Sequence, residues 1–206
     1  MIKNVEKGFT SGKYNTSDLE SGKNDIIKQG DMTITLTTTN NQKNGQSKKD
    51  NLTNIDLGEC ENILKNIYNI PETEHIYIKK IDVIIEGMKI PKIEYDVYAK
   101  INNENILVKL NLSYCENSKI DLSVPVELNE DIDKLNSSSG YYNDLCYTAT
   151  SDIGTDIILN DRKNEFISNN KTVCQDECIF SNYDYDAKKA KCSCRVIRII
   201  IYICKY

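Results

Sequence analysis

The chain has no tryptophan, one histidine, three prolines and nine glycines in 206 residues. Only three of its 26 basic residues are arginine. It lacks any apolar run of 18 or more residues, so nothing in it crosses a bilayer as a helix by itself. It also lacks a basic excess: 31 acidic residues against 26 basic ones leave a net charge of −5, which excludes the cationic face that nucleic-acid binding needs. The opening stretch, MIKNVEKGFTSGKYNTSDLESGKND, has no apolar core of a secretory leader. From this we expect either a cytosolic chain or a piece of a longer secreted protein. Catalytic signatures are missing too. There is no H-E-x-x-H, no phosphate-binding glycine loop and no G-x-S-x-G. A Cys–His catalytic pair would have to recruit His75, alone in a loop. The sequence therefore predicts no enzyme, no catalytic residues, no cofactor and no metal.

What is present is skewed. Lysine, asparagine, isoleucine and tyrosine are abundant, the signature of AT-rich coding sequence. That bias does not account for eight cysteines: Cys60, Cys115, Cys146, Cys174, Cys178, Cys192, Cys194 and Cys204. Five of them crowd into a polar stretch between 146 and 194 that is poor in large aliphatic residues. Such a stretch buries too little apolar surface to fold alone and needs covalent or metal staples. Disulfides fit best, and they indicate an oxidising compartment. The alternative is zinc. Cys174-x3-Cys178 has knuckle spacing, but Cys192-x-Cys194 is tight for a second knuckle. That alternative describes a cytosolic zinc-stabilised protein-interaction domain.

Cys60 and Cys115 stand apart within ordered-looking elements. A bridge between them would close a 55-residue loop, about 4 kcal/mol in the chain-entropy account. The disulfide candidates are thus Cys60, Cys115, Cys146, Cys174, Cys178, Cys192 and Cys194, with connectivity open; Cys204 sits in an anomalous tail. Asn-x-Ser/Thr sequons occur at Asn15, Asn51, Asn111, Asn136 and Asn170. The last four are the glycosylation candidates.

Periodicity divides the chain. Residues 1–29 are polar and aperiodic, and read as disordered or linker. Residues 30–128 read as an antiparallel α+β domain. Met32–Thr37 alternates as a strand. Asp56 and Glu59 suggest a capping box for a helix whose apolar stripe includes Leu57, Cys60, Ile63, Leu64 and Ile67, ended by Pro71. Strands follow over 76–85, with an irregularity at Lys79-Lys80, then over 93–99, 106–112 and 120–126. Pro125 suits an edge position. One sheet face under one helix suffices for this core.

Residues 129–195 read as a cysteine-rich module. It holds a helical turn over 131–135, a short helix from Asn160-Asp161 to Phe166, and a hairpin pinned at its base by Cys178 and Cys192. Tyr141, Tyr142, Tyr147, Tyr183 and Tyr185 offer an exposed contact surface. Asp152/Asp156 and Asp184/Asp186 are acidic pairs that read as polar turns. Residues 196–206 form an anomalous apolar tail, too short and too charged to span a membrane, which suggests truncation or the start of a membrane-proximal segment.

Four stretches are distinctive in wording: IDLGECENILKNIYNIP (55–71), GMKIPKIEYDVYAKI (87–101), KLNSSSGYYNDLCYTATSDIGTDIILNDRKNEF (134–166) and NKTVCQDECIFSNYDYDAKKAKCSC (170–194). Together they resemble an uncharacterised family of cysteine-rich surface and membrane proteins of AT-rich microbial eukaryotes. The chain departs from that pattern after Cys194, where the family continues in a charged, serine-rich stretch. The resemblance implies an ectodomain fragment next to a membrane, attached only through segments outside this chain, and it carries no established activity. The resulting expectation is a non-enzymatic extracellular or cell-surface glycoprotein module, structural or adhesive. Its partners would be other surface proteins or glycans.

Overall fold

A computed structural model describes residues 1–43, 51–86, 90–101, 105–128, 131–168, 173–175 and 178–196. The expected tail from Ile197 onward, Cys204 and Asn170 lie outside the described residues. The fold is α+β with two antiparallel sheets. The first, in the order β1-β2-β4-β5-β6, comprises β1 (Asp25–Gln29), β2 (Met32–Thr38), β4 (Ile76–Val83), β5 (Lys92–Lys100) and β6 (Leu107–Lys109). The second, β3-β7-β9-β8, comprises β3 (Asn54–Asp56), β7 (Lys119–Pro125), β9 (Lys189–Arg195) and β8 (Cys178–Asp184).

Alternation along β4 and β5 sends residues to two different cores. Ile76, Ile78, Ile93, Val97 and Ala99 meet the second sheet through Ile55, Ile120, Leu122, Val124, Ala190 and Cys192. Tyr77, Ile81 and Tyr98 face the other way, against Phe9 of α1 (Ile2–Phe9) and Leu19 of α2 (Ser17–Glu20). The first 29 residues are therefore not a linker. They are two short helices and a strand, and Phe9 and Leu19, both 1% exposed, anchor them to the sheet. A single sheet under one helix is likewise replaced by two sheets with a third layer.

The apparent irregularity at Lys79-Lys80 has the same cause. Pairing runs unbroken from Tyr77 to Val83 on both flanks, and the two lysines point to opposite, equally buried faces. Lys80 (1% exposed) lies 2.9 Å from Asp82 Oδ2 and donates to Thr53 Oγ1 at 2.8 Å and to the Thr53 carbonyl. Thr53 Oγ1 in turn donates to Asp82. A charge can sit there because its partners satisfy it on the spot.

Beyond the short α3 (Thr39–Lys43), helix α4 (Glu59–Ile67) turns Cys60 and Leu64 into the inter-sheet core. The expected capping box does not form. Gly58 is the N-cap at φ 53°, and Asp56 Oδ1 instead accepts from the Gly58 N–H at 3.0 Å. Nor is Pro71 what stops the helix: Asn69 at φ 51° does, with Ile70 N–H returning to the Lys65 carbonyl at 2.8 Å, the wrap of a Schellman end. The strand expected over 106–112 is shorter. It covers Leu107–Lys109, after which Leu112–Cys115 forms a 3-10 turn. Pro125 closes β7, an inner strand. Its ring faces past the end of β3, since Val126 N–H already bonds the Lys188 carbonyl on the other side.

The cysteine-rich stretch does carry disulfides, but it does not stand apart. Its hairpin, β8 and β9, pairs with β7 to complete the second sheet. Between β7 and that hairpin, α5 (Gly140–Asn143) and α6 (Leu159–Ser168) gather around Arg162, which is 1% exposed. Its guanidinium lies over the rings of Tyr141 and Tyr147 at 5.5 and 5.7 Å and donates to the carbonyls of Asp144 and Tyr147. Tyr141, Tyr142 and Tyr183 are buried and belong to the interior. Of the expected tyrosine surface only Tyr185, at 68%, is widely exposed.

Two outcomes follow. Lys80→Met should lower stability by about 3–5 kcal/mol in urea unfolding, because it leaves Asp82 buried without its cation, while a paired Lys80→Met, Asp82→Leu change should recover most of the loss. Arg162→Ala should open 131–168 to limited proteolysis while the sheets stay protected, read by mapping the cleavage sites.

Candidate functional site

β5 is paired with β6 only over Tyr98–Lys100. Ahead of Tyr98 its outer side meets no strand among the described residues, and Leu110 N–H caps Val97 O at 2.8 Å. A groove of about 670 Å³ runs along this free edge, lined by Ile2 and Glu6 of α1, Ile81, Tyr95 and Val97 of the sheet, and Leu110 to Ser113 of the following turn. Its walls are mixed. Burial pushes the Tyr95 phenol well above the usual tyrosine range.

Charges on one wall are tied in sequence. Lys79 Nζ lies 3.1 Å from Glu6 Oε2 and 2.6 Å from Asp96 Oδ2, and Lys109 lies 2.5 Å from Asp96 Oδ1. Burial would raise the Asp96 carboxyl, but hydrogen bonds from Lys109 and Lys79 outweigh it and hold the group below its ordinary range. The Tyr98 hydroxyl donates to Glu6 Oε1 at 3.1 Å. Burial, with the charges of Asp96 and Glu6, raises that phenol strongly.

A second carboxylate plays the same part for α2. Glu20 Oε1 accepts from Thr16 and Tyr77 at 2.6 Å each and from Lys100 at 2.7 Å. These hydrogen bonds, Lys100 first, bring its pKa from an ordinary 4.5 down to about 2. Beside it, a more polar groove of about 700 Å³ includes His75. The imidazole is tilted against Tyr77 at 6.4 Å, and no cysteine is among the residues lining that groove.

Glu6, Asp96 and Glu20 are committed to lysines and tyrosines, and an open strand edge with apolar neighbours has the geometry to pair with an extended chain. Glu6, Glu20, Lys79, Asp96 and Lys109 escaped the sequence reading. The available signal was a charged pair, Lys79 and Asp96, inside two strands that turn out to be direct register partners.

The sulfur chemistry is resolved by position. Cys60 pairs with Cys115, Cys174 with Cys192 and Cys178 with Cys194. Cys178 and Cys194 are direct cross-strand neighbours in the hairpin, so the base is pinned there rather than between Cys178 and Cys192. Cys146 is exposed and free. It lies in the turn after α5, so the 131–168 segment leans on Arg162 and its tyrosines and not on a disulfide of its own. All four cysteines of the zinc alternative are oxidised in pairs and offer no thiolate ligand.

Three of the sequons share one conformation. Asn15, Asn111 and Asn136 each accept, through Oδ1, the N–H of the serine two residues on, at 3.0 Å. Asn15, Asn51 and Asn111 are exposed and Asn136 half-buried. No family model, no curated protein and no solved structure matches the chain.

The Glu20 cluster has a definite pH signature. Because its folded pKa is depressed, its contribution is fully present above the ordinary carboxylate pKa and is lost as pH falls from 4.5 toward about 2. Glu20→Gln should therefore lower the melting temperature at neutral pH and flatten its decline across that acid window, as read by thermal scans at successive pH values.

Proposed function

We propose that this chain is a non-enzymatic, extracellular structural or adhesive module of a surface protein that lies close to a membrane. The observation that carries the reading is the set of three disulfides, each with at least one sulfur in the inter-sheet core. Bonds of this kind persist where the surroundings are oxidising and are rare where glutathione keeps thiols reduced. The largest, closing 55 residues, contributes about 4 kcal/mol by restricting the unfolded chain, a large share of a domain's net stability. Sequons exposed on the surface support glycosylation at Asn51 and Asn111, with Asn136 in the same turn geometry as Asn111. The open edge of β5 is the surface that would receive another surface protein as an added strand, and glycans are the other class of partner. The membrane connection would run through segments outside this chain.

Two measurements test the reading. Alkylation of unreduced, denatured protein from its native source should leave at least six of the eight cysteines unmodified, and should modify them all after reduction. Antibodies against the folded protein should label intact cells. If labelling requires permeabilisation, or if every thiol alkylates without reductant, the reading is wrong.

A further inference from the structure

Val196, the residue after β9, is 5% exposed and stands in the wall of the groove beside β5. Its N–H bonds the Ser118 carbonyl at 3.4 Å, so the chain leaves the second sheet beside the Leu112–Cys115 turn, whose Leu112 shares that wall. The residues that follow, Ile197-Arg198-Ile199-Ile200-Ile201-Tyr202-Ile203, lie outside the described residues. Their sequence is strongly β-prone and carries one charge, a pairing hazard wherever such a run is left open.

The edge of β5 has the complementary need. Val97 directs its carbonyl outward, where Leu110 N–H reaches it, and every second residue of a strand bonds to the same side. Tyr95 therefore also directs its N–H and C=O outward along the groove, and neither meets a backbone partner among the described residues. Ile2, Ile81 and Leu112 give the groove apolar walls. Glu116 lies among them with no ion pair among the described residues, and Arg198, two residues beyond Val196, supplies the opposite charge.

From this placement we infer that residues 197–203 of this chain fold back onto the free edge of β5 and add to the first sheet as its edge strand. The inference rests on the reading of that edge as a surface that receives a strand, and gives its regulation. One exposed apolar run and one unpaired edge cover each other. A partner strand must then displace a segment tethered at the groove wall, whose effective concentration is on the order of millimolar.

The test is amide hydrogen exchange, read residue by residue by NMR, on the full chain with its disulfides formed. In the wild type the Tyr95 N–H should exchange as slowly as the amides of β4. Ile199→Pro combined with Ile200→Pro takes a ladder N–H from the tail whichever of the two faces β5. It should speed Tyr95 exchange about tenfold or more and leave β4 as it was, which shows that the sheet stays folded. Ile199→Val combined with Ile200→Val should keep the protection. Tyr95 free in the wild type, or equally slow in the proline variant, overturns the inference. So does protection that fades on dilution as a dimer dissociates, which assigns the strand to a second copy. If Tyr95 is free until a synthetic peptide of alternating valine and threonine is added, the edge receives strands but not the tail: the inference fails and the reading of the edge survives. If that peptide also leaves Tyr95 free, both fail.

Discussion

Lys79 and Lys80 sit side by side in the middle of β4, and strand geometry sends them to opposite faces of one sheet, 2% and 1% exposed. Two adjacent ammonium groups cannot both be buried unless each face supplies its own anion. Asp82 does so between the sheets, with the Thr53 hydroxyl and carbonyl as further acceptors, and Glu6 and Asp96 do so beneath α1. On the second face α1 (Ile2–Phe9) brings Glu6 to within 3.1 Å of Lys79, which Asp96 holds at 2.6 Å. The same helix delivers Phe9 against Tyr98 at 5.3 Å. The layer over the sheet is thus specified by polar complementarity first and by a few apolar anchors second.

That division sets what could be read from sequence. Period-two alternation marked strands over 32–37, 93–99 and 120–126, and over 76–85 with a break at Lys79-Lys80, while the helical stripe marked the helix at Leu57–Ile67, because an apolar face of each lies against a core. Alternation says that a strand has a buried face but not which sheet it joins, so β7 could not be separated from β4 and β5. It fails outright where both faces are buried, and β4 then reads as irregular. The N-terminal layer was invisible for a different reason. α1 and α2 have eight and four residues; Ile2, Val5 and Phe9 do recur at helical spacing on α1, but two turns give a short stripe, and α2 contributes only Leu19. The tyrosines misled because tyrosine tolerates both surroundings. Tyr141 is interior and Tyr147 half-buried because they pack edge to face against each other with Arg162 over both rings, a contact between residues 15 to 21 apart that no local pattern announces.

The candidate groove was less legible than the fold. Its apolar lining comes from Ile2 of α1, Ile81 of β4, Tyr95 and Val97 of β5 and Leu110 and Leu112 beyond β6, so no single segment carries its pattern. It exists because β6 is short. After Lys109 the chain leaves the sheet through Leu110, which drops into the inter-sheet core, and the Asn111 side chain then caps the following turn through Ser113 N–H. The edge of β5 is left open by that early departure. Charged side chains along such an edge oppose indiscriminate pairing, and Glu94, Asp96 and Lys92 occupy these positions.

The molecule's two cores are held by different chemistry. Every disulfide among the described residues borders the inter-sheet core, where Cys60, Cys115, Cys174, Cys192 and Cys194 are themselves packing groups. The other core contains no cysteine. Its helices are fastened by Glu6 and Glu20 to lysines and tyrosines of the sheet. Sulfur bonds respond to reductant and not to pH, whereas carboxylate contacts respond to acid and hardly to reductant. The N-terminal layer and the second sheet therefore have separate vulnerabilities, although they cover opposite faces of the same five strands. The sheet between them joins the two cores mechanically, through Lys79 on one side and Lys80 on the other.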